Sequence, residues 1–100
     1  MKHSIVQEEG ATVLHVAGEL DAISSPELRP VLDRIVDEGK RSVAVNLSEL
    51  RLIDSSGVGA LVSLYKRIRA NGGEVRFVGL IGQPLVIFKL LRLDQAFQLS

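Results

Sequence analysis

The chain contains no cysteine and no tryptophan, only four aromatic residues and no net charge. Without cysteine there are no disulfides, no thiolate nucleophile and no cysteine-ligated metal. Few aromatics leave the core to Leu, Val and Ile, for which a 46% hydrophobic content is ample. Twelve basic residues balance twelve acidic ones, so no overall field draws in nucleic acid or an anionic membrane surface. No apolar run approaches the ~20 residues that a membrane-spanning helix needs. The opening Met1-Lys2-His3-Ser4 runs into a mixed polar segment, unlike a signal peptide. One hundred residues suit one domain, taken as 1–100, and the expected setting is cytoplasmic.

The residues present read as alternating strands and helices. Ile5–Glu8 and Thr12–Ala17 are β-prone runs separated by Glu9-Gly10, a hairpin-turn signal. Leu28, Val31, Leu32, Ile35 and Val36 follow helical spacing, with Arg29, Asp33, Arg34 and Asp37 opposite and Gly39 as the stop. Ser24 and Glu27 have the spacing of a capping box, while Pro30 predicts an irregular first turn. Val43, Val45 and Leu47 alternate as a buried strand. Val58, Leu61, Leu64, Tyr65 and Ile68 then form the stripe of a second helix that ends at Asn71-Gly72-Gly73. Val75–Val78 is a further strand. Pro84 opens a third helix to about Leu91, apolar on nearly every side and expected to be mostly buried. Phe97-Gln98-Leu99 is read as a last short strand. The order β-β-α-β-α-β-α-β predicts an α/β domain with a mixed sheet, an opening hairpin and helices between strands.

Asp54-Ser55-Ser56-Gly57-Val58-Gly59 lies where a strand region passes into the second helix. Helix starts carry unpaired N–H groups and partial positive charge, so a serine here has three readings. It caps the helix, it helps to bind a phosphate, or it receives one. Serine hydrolysis fits poorly, because neither serine has glycine at both second neighbours and the two histidines, His3 and His15, are poorly placed as bases. Gly57-Val58-Gly59 begins a dinucleotide fingerprint, but its third glycine position holds Val62. Asp21, Asp54 and Glu19 lack metal-ligand spacing, so neither metal nor cofactor is expected. On these residues alone, a helix cap worth ~1 kcal/mol is the favoured reading.

Several segments together resemble a known family. They are Gly18-Glu19-Leu20-Asp21, Pro26-Glu27-Leu28-Arg29, Asn46-Leu47, Asp54-Ser55-Ser56-Gly57-Val58-Gly59-Ala60-Leu61, Gly72-Gly73 and Leu90-Leu91-Arg92-Leu93-Asp94-Gln95-Ala96-Phe97. In order and spacing the chain resembles a STAS domain of the bacterial anti-sigma factor antagonists. The resemblance implies a non-enzymatic switch whose unphosphorylated form binds an anti-sigma factor that is also a serine kinase, freeing the sigma factor. Phosphorylation ends the association and a phosphatase reverses it. By the family motif the acceptor maps to Ser56, with Ser55 second. Asp21 resembles the acidic position near the acceptor that helps the kinase engage its target. The implied partner surface comprises Asp21, Asp54, Ser55, Ser56, Gly57 and Val58. No direct nucleic-acid contact, no membrane insertion and no particular oligomeric state are implied. Rival readings are a scaffold subunit of a stress-signalling or transport complex, and a small phosphate- or nucleotide-binding domain.

Overall fold

Glu9 and Gly10, with φ of 49° and 81°, form the left-handed two-residue turn that a tight hairpin requires. In the computed structural model, which describes residues 1–97, this turn joins β1 (Lys2–Glu8) to β2 (Ala11–Leu20). The order continues α1 (Ser25–Asp37), β3 (Ser42–Asn46), β4 (Leu50–Ile53), α2 (Ser55–Ala70), β5 (Glu74–Val78), α3 (Gly82–Leu90) and α4 (Leu93–Ala96). The main sheet runs β1-β2-β3-β5, and β4 pairs separately with β2. The β1–β2 pair is antiparallel, while β2–β3, β2–β4 and β3–β5 are parallel. The expected mixed α/β sheet with an opening hairpin is therefore present.

The long β2 strand organises the sheet because its halves serve different neighbours. Thr12–His15 pair with β3, while Gly18–Leu20 pair with β4 across a register shift at Gly18/Glu19. Gly18 takes φ 91° there, a conformation that glycine adopts freely. Leu14, Val16 and Leu20 join Val43, Val45 and Phe77 in the core. Leu28, Val31, Leu32 and Ile35 of α1, with Leu61, Leu64 and Ile68 of α2, complete it. An ion pair of 2.7 Å between Arg67 and Asp33 ties the two helices together near the surface.

Four expectations need correction. Leu50–Ile53 is a strand, absent from the β-β-α-β-α-β-α-β order expected of the sequence. Its buried residues are Leu50 and Ile53, three apart, so it lacks the alternation that marks a strand. Helix α1 runs continuously through Pro30, and both Pro30 and Pro26, whose carbonyl loses its partner, are exposed to water. Ser24 precedes α1 without making a side-chain cap, because its hydroxyl turns back toward β2. Finally, α3 buries only Pro84 and Phe88, whereas Val86 and Leu90 are exposed.

The chain end differs as well. Phe97, expected in a strand, follows the short helix α4, and Gln98 and Leu99 lie outside the described residues. Its ring joins every other aromatic residue of the protein. Phe97 lies 4.3 Å from Tyr65, 4.9 Å from Phe77 and 6.3 Å from Phe88, centre to centre. Phe77 and Phe88 meet edge to face at 5.9 Å. These separations suit aromatic pairing, and they clasp α2, β5, α3 and the segment after α4 in one cluster. Phe97→Ala should lower the unfolding free energy by about 3–5 kcal/mol, read by urea denaturation.

Candidate functional site

Strands β2 and β4 end side by side, because Asp54 N–H donates to the Leu20 carbonyl at 3.2 Å. Helix α2 begins at once, with Asp54 in extended conformation as its cap. Asp54 Oδ1 accepts from the N–H groups of Ser56 at 2.9 Å and Gly57 at 3.1 Å. Its other oxygen, Oδ2, accepts from Ala22 N–H at 3.1 Å, across 32 residues of sequence. One carboxylate thus starts α2 and fastens the β2–α1 loop to it.

That loop is built around Asp21 and Ser24. Asp21 Oδ1 accepts from Ile23 N–H at 3.0 Å, Ser24 N–H at 2.9 Å and the Ser24 hydroxyl at 3.1 Å. The single Ser24 hydroxyl proton is shared between that carboxylate and the Glu19 carbonyl at 2.8 Å, while the hydroxyl oxygen accepts from Asp21 N–H at 3.0 Å. The Ser24 N–H foremost, then its hydroxyl and the Ile23 N–H, hold the Asp21 carboxyl below its ordinary 3.8. The loop projects Ile23 into solvent at 86% exposure.

On the other flank α3 grips the same seam. The Gln83 side-chain amide donates to the Ile53 carbonyl and accepts from the Ile53 N–H, both at 2.9 Å. It completes the outer edge of β4 as a neighbouring strand would. Ile81, just before α3, is 60% exposed. Sequence reasoning missed Gln83 because its partner lies 30 residues away and no local pattern announces the pairing. Ile23 and Ile81 carried a weaker sign, being large aliphatics in otherwise loop-like segments.

The structure divides the residues expected at this surface. Ser55 is exposed and Ser56 half-buried, and neither hydroxyl is hydrogen-bonded among the described residues. Asp21 and Asp54 are half-buried, and both spend at least one carboxylate oxygen inside the protein. Gly57 and Val58 do not fit a contact role. Val58 is 7% exposed and belongs to the core. At Gly57, a Cβ would stand 2.6 Å from the Leu20 carbonyl oxygen and 2.8 Å from Ile53 Cγ1. The close approach that glycine permits here is internal, between the helix start and the two strand ends. Gly59 is exposed, with open space around it.

The cap also limits what the helix start can bind. The Ser56 and Gly57 N–H groups are taken by the Asp54 carboxylate, and that of Val58 by the Asp54 carbonyl at 2.9 Å. A free anion would meet a fixed carboxylate where it needs donors. The geometry therefore suits an exposed hydroxyl presented on a rigid corner better than a phosphate cradle.

Three outcomes test this geometry. Gly57→Ala should destabilise the fold by about 1–3 kcal/mol in urea melts, because backbone cannot yield to the new methyl. Gly59→Ala should stabilise it by about 0.5–1 kcal/mol, since a helical, unobstructed position gains from alanine. For Asp21, a folded pKa below 3.8 means its stabilising contribution is complete above that value and disappears as pH falls through the folded pKa. Asp21→Asn should accordingly flatten the acid limb of a stability–pH curve and leave its slope near neutral pH unchanged.

Residues 2–100 match the family model of the STAS domain. The anti-sigma-B factor antagonist of Staphylococcus aureus (strain NCTC 8325 / PS 47) is 37% identical over 85 residues, which cover 85% of this chain and 79% of that protein. The anti-sigma-B factor antagonist of Bacillus subtilis (strain 168) is 26% identical over 96 residues, covering 96% and 87% respectively. Among solved structures, an anti-sigma factor antagonist from Mycobacterium paratuberculosis superposes with a TM-score of 0.87 at 22% identity, covering 99% of this chain and 84% of that one. The unphosphorylated anti-sigma factor antagonist SpoIIAA gives a TM-score of 0.74 at 19% identity, covering 91% and 82%. The fold agrees with both structures, and the family match extends over almost the whole sequence. The chain belongs to the STAS domain family, among relatives that are anti-sigma factor antagonists.

Proposed function

We propose that this protein is an anti-sigma factor antagonist controlled at Ser56. Its unphosphorylated form binds an anti-sigma factor that is a serine kinase, and the bound kinase lets go of its sigma factor. Phosphate on Ser56 ends the association, and a serine phosphatase restores it. The observation that carries this reading is the Ser56 hydroxyl, unengaged and half-buried at the head of α2, on a corner fixed by Asp54. Two proteins with this name lie among the relatives, and SpoIIAA, which shares the fold, has been solved in phosphorylated form.

The chemistry gives the switch its direction. A phosphoserine adds about −1.5 to −2 charges and three acceptor oxygens. At Ser56 it would find the first-turn donors occupied by Asp54, whose carboxylate repels it. Any benefit from the helix dipole, ~0.3–1 kcal/mol, is offset by that neighbour. The modified domain therefore stays folded, with its phosphate directed outward. Against a docked partner the phosphate must lose water, which costs several kcal/mol when no partner charge awaits it. Each 1.4 kcal/mol is about a tenfold loss of affinity, so the interface carries the effect.

Ser55, Ser56, Ile23 and Ile81 form the accessible docking set in this reading. Asp21 acts by holding the loop that presents Ile23, and Asp54 by holding both loop and helix. Gly57 and Val58 support the corner from within. The rival phosphate- or nucleotide-binding reading is weakened by the occupied N–H groups.

The test is a pull-down from native cell extract with wild type beside Ser56→Ala. The alanine form should retain an ATP-binding kinase persistently and take up no phosphate when incubated with it and ATP. Ser56→Asp should fold as wild type by circular dichroism yet retain the kinase less. Phosphate located on another residue by mass spectrometry would overturn the site assignment.

A further inference from the structure

β1 stands at the edge of the sheet with β2 as its one strand neighbour among the described residues. All seven of its residues are exposed. Its pairing with β2 is regular from Lys2↔Ala17 to Glu8↔Ala11, without a bulge, and it contains neither proline nor glycine. An edge of this length leaves a row of backbone donors and acceptors free to pair with another strand. The usual protections, a proline, a bulge or a covering helix, are missing from it. Two large aliphatic residues, Ile5 at 37% and Val6 at 41% exposure, sit in the middle of the strand.

The order of its side chains selects an occupant. In an antiparallel pair, facing residues share a side of the sheet, so a twofold-symmetric pairing of β1 with itself must keep that parity. One such register uses all seven residues. It is centred on Ile5 and sets Ile5 against Ile5, Ser4 against Val6, His3 against Gln7 and Lys2 against Glu8. The strand is thus complementary to its own reverse, with an opposite-charge pair at each end and aliphatic contact at the centre. Neither Lys2 nor Glu8 has an ion-pair partner among the described residues. A strand of another protein would gain the same backbone bonds but would need its own matching charges.

We infer that β1 is a homodimerisation edge: two copies of this chain join their sheets antiparallel about a twofold axis through Ile5. The contact is isologous, so it closes at two copies and does not propagate. Two strands bury a small area, and the dimer is accordingly weak and concentration-dependent. None of the residues at the head of α2 belongs to β1. The inference does not depend on what that corner binds.

Sedimentation of the whole chain over a range of concentrations, combined with charge reversal, tests it. The wild type should pass from monomer to dimer as concentration rises. Lys2→Glu alone and Glu8→Lys alone place like charges opposite each other at both ends, and each should weaken self-association about tenfold. An equimolar mixture of these two variants restores both opposite-charge pairs and should form a heterodimer near the wild-type strength. A wild type that remains monomeric at the highest concentration overturns the inference and leaves the edge to a strand of some other protein. Dimerisation that ignores both reversals, or a mixture that fails to recover it, also overturns the inference and assigns any dimer to another face.

Discussion

A single carboxylate joins the helix start that carries Ser56 to the loop that follows β2. Asp54 supplies the acceptors for the first N–H groups of α2 and, through its second oxygen, for the N–H of Ala22. A helix start and the loop that follows β2 become one rigid corner. Each of these bonds involves a charged acceptor, the stronger kind, and together they satisfy donors that the helix itself cannot. Remove the carboxylate and the first turn of α2 and the loop lose their common anchor.

In the proposed switch, rigidity at that corner would leave a modification there to be read by a partner and not by the fold. The helix start is often pictured as a welcome site for phosphate, but here the donors are already committed. An added charge has no internal partner to reorganise around, so it changes the surface and leaves the interior as it was. Gly57 contributes by letting the helix approach Leu20 and Ile53 closely, which leaves little freedom for the corner to deform. Gln83 closes the other side by completing the edge of β4.

The parts of this arrangement legible in the sequence are those set by neighbours in the chain. The Glu9-Gly10 turn, the apolar stripes of α1 and α2 and the cap at Asp54 are local, and each leaves a pattern within a few residues. Strand β4 was hidden because Arg51 and Leu52 both face water, breaking alternation in a segment that pairs across an irregular register. Gly57 and Val58 were legible as part of a motif, but not as inward-facing, since that depends on how the helix lands on two strands. Gln83 and Ala22 were silent for a related reason: their partners lie about thirty residues away and meet them only after the sheet has formed. Helix α3 was over-read in the opposite direction, its near-uniform apolarity suggesting burial on several sides where it buries only Pro84 and Phe88 and leaves Val86 and Leu90 exposed.

The aromatic cluster has an optical consequence. Tyr65 is the chain's one tyrosine and there is no tryptophan, so near-ultraviolet emission from the protein has a single principal source. That ring lies against Phe97, and its hydroxyl is 3.4 Å from the Ala96 carbonyl. Nine residues along α2, about 14 Å of helix axis, separate it from Ser56. Intrinsic fluorescence therefore watches the latch that holds the chain's last described turn, and a quenching event at the opposite end of α2 passes almost unseen.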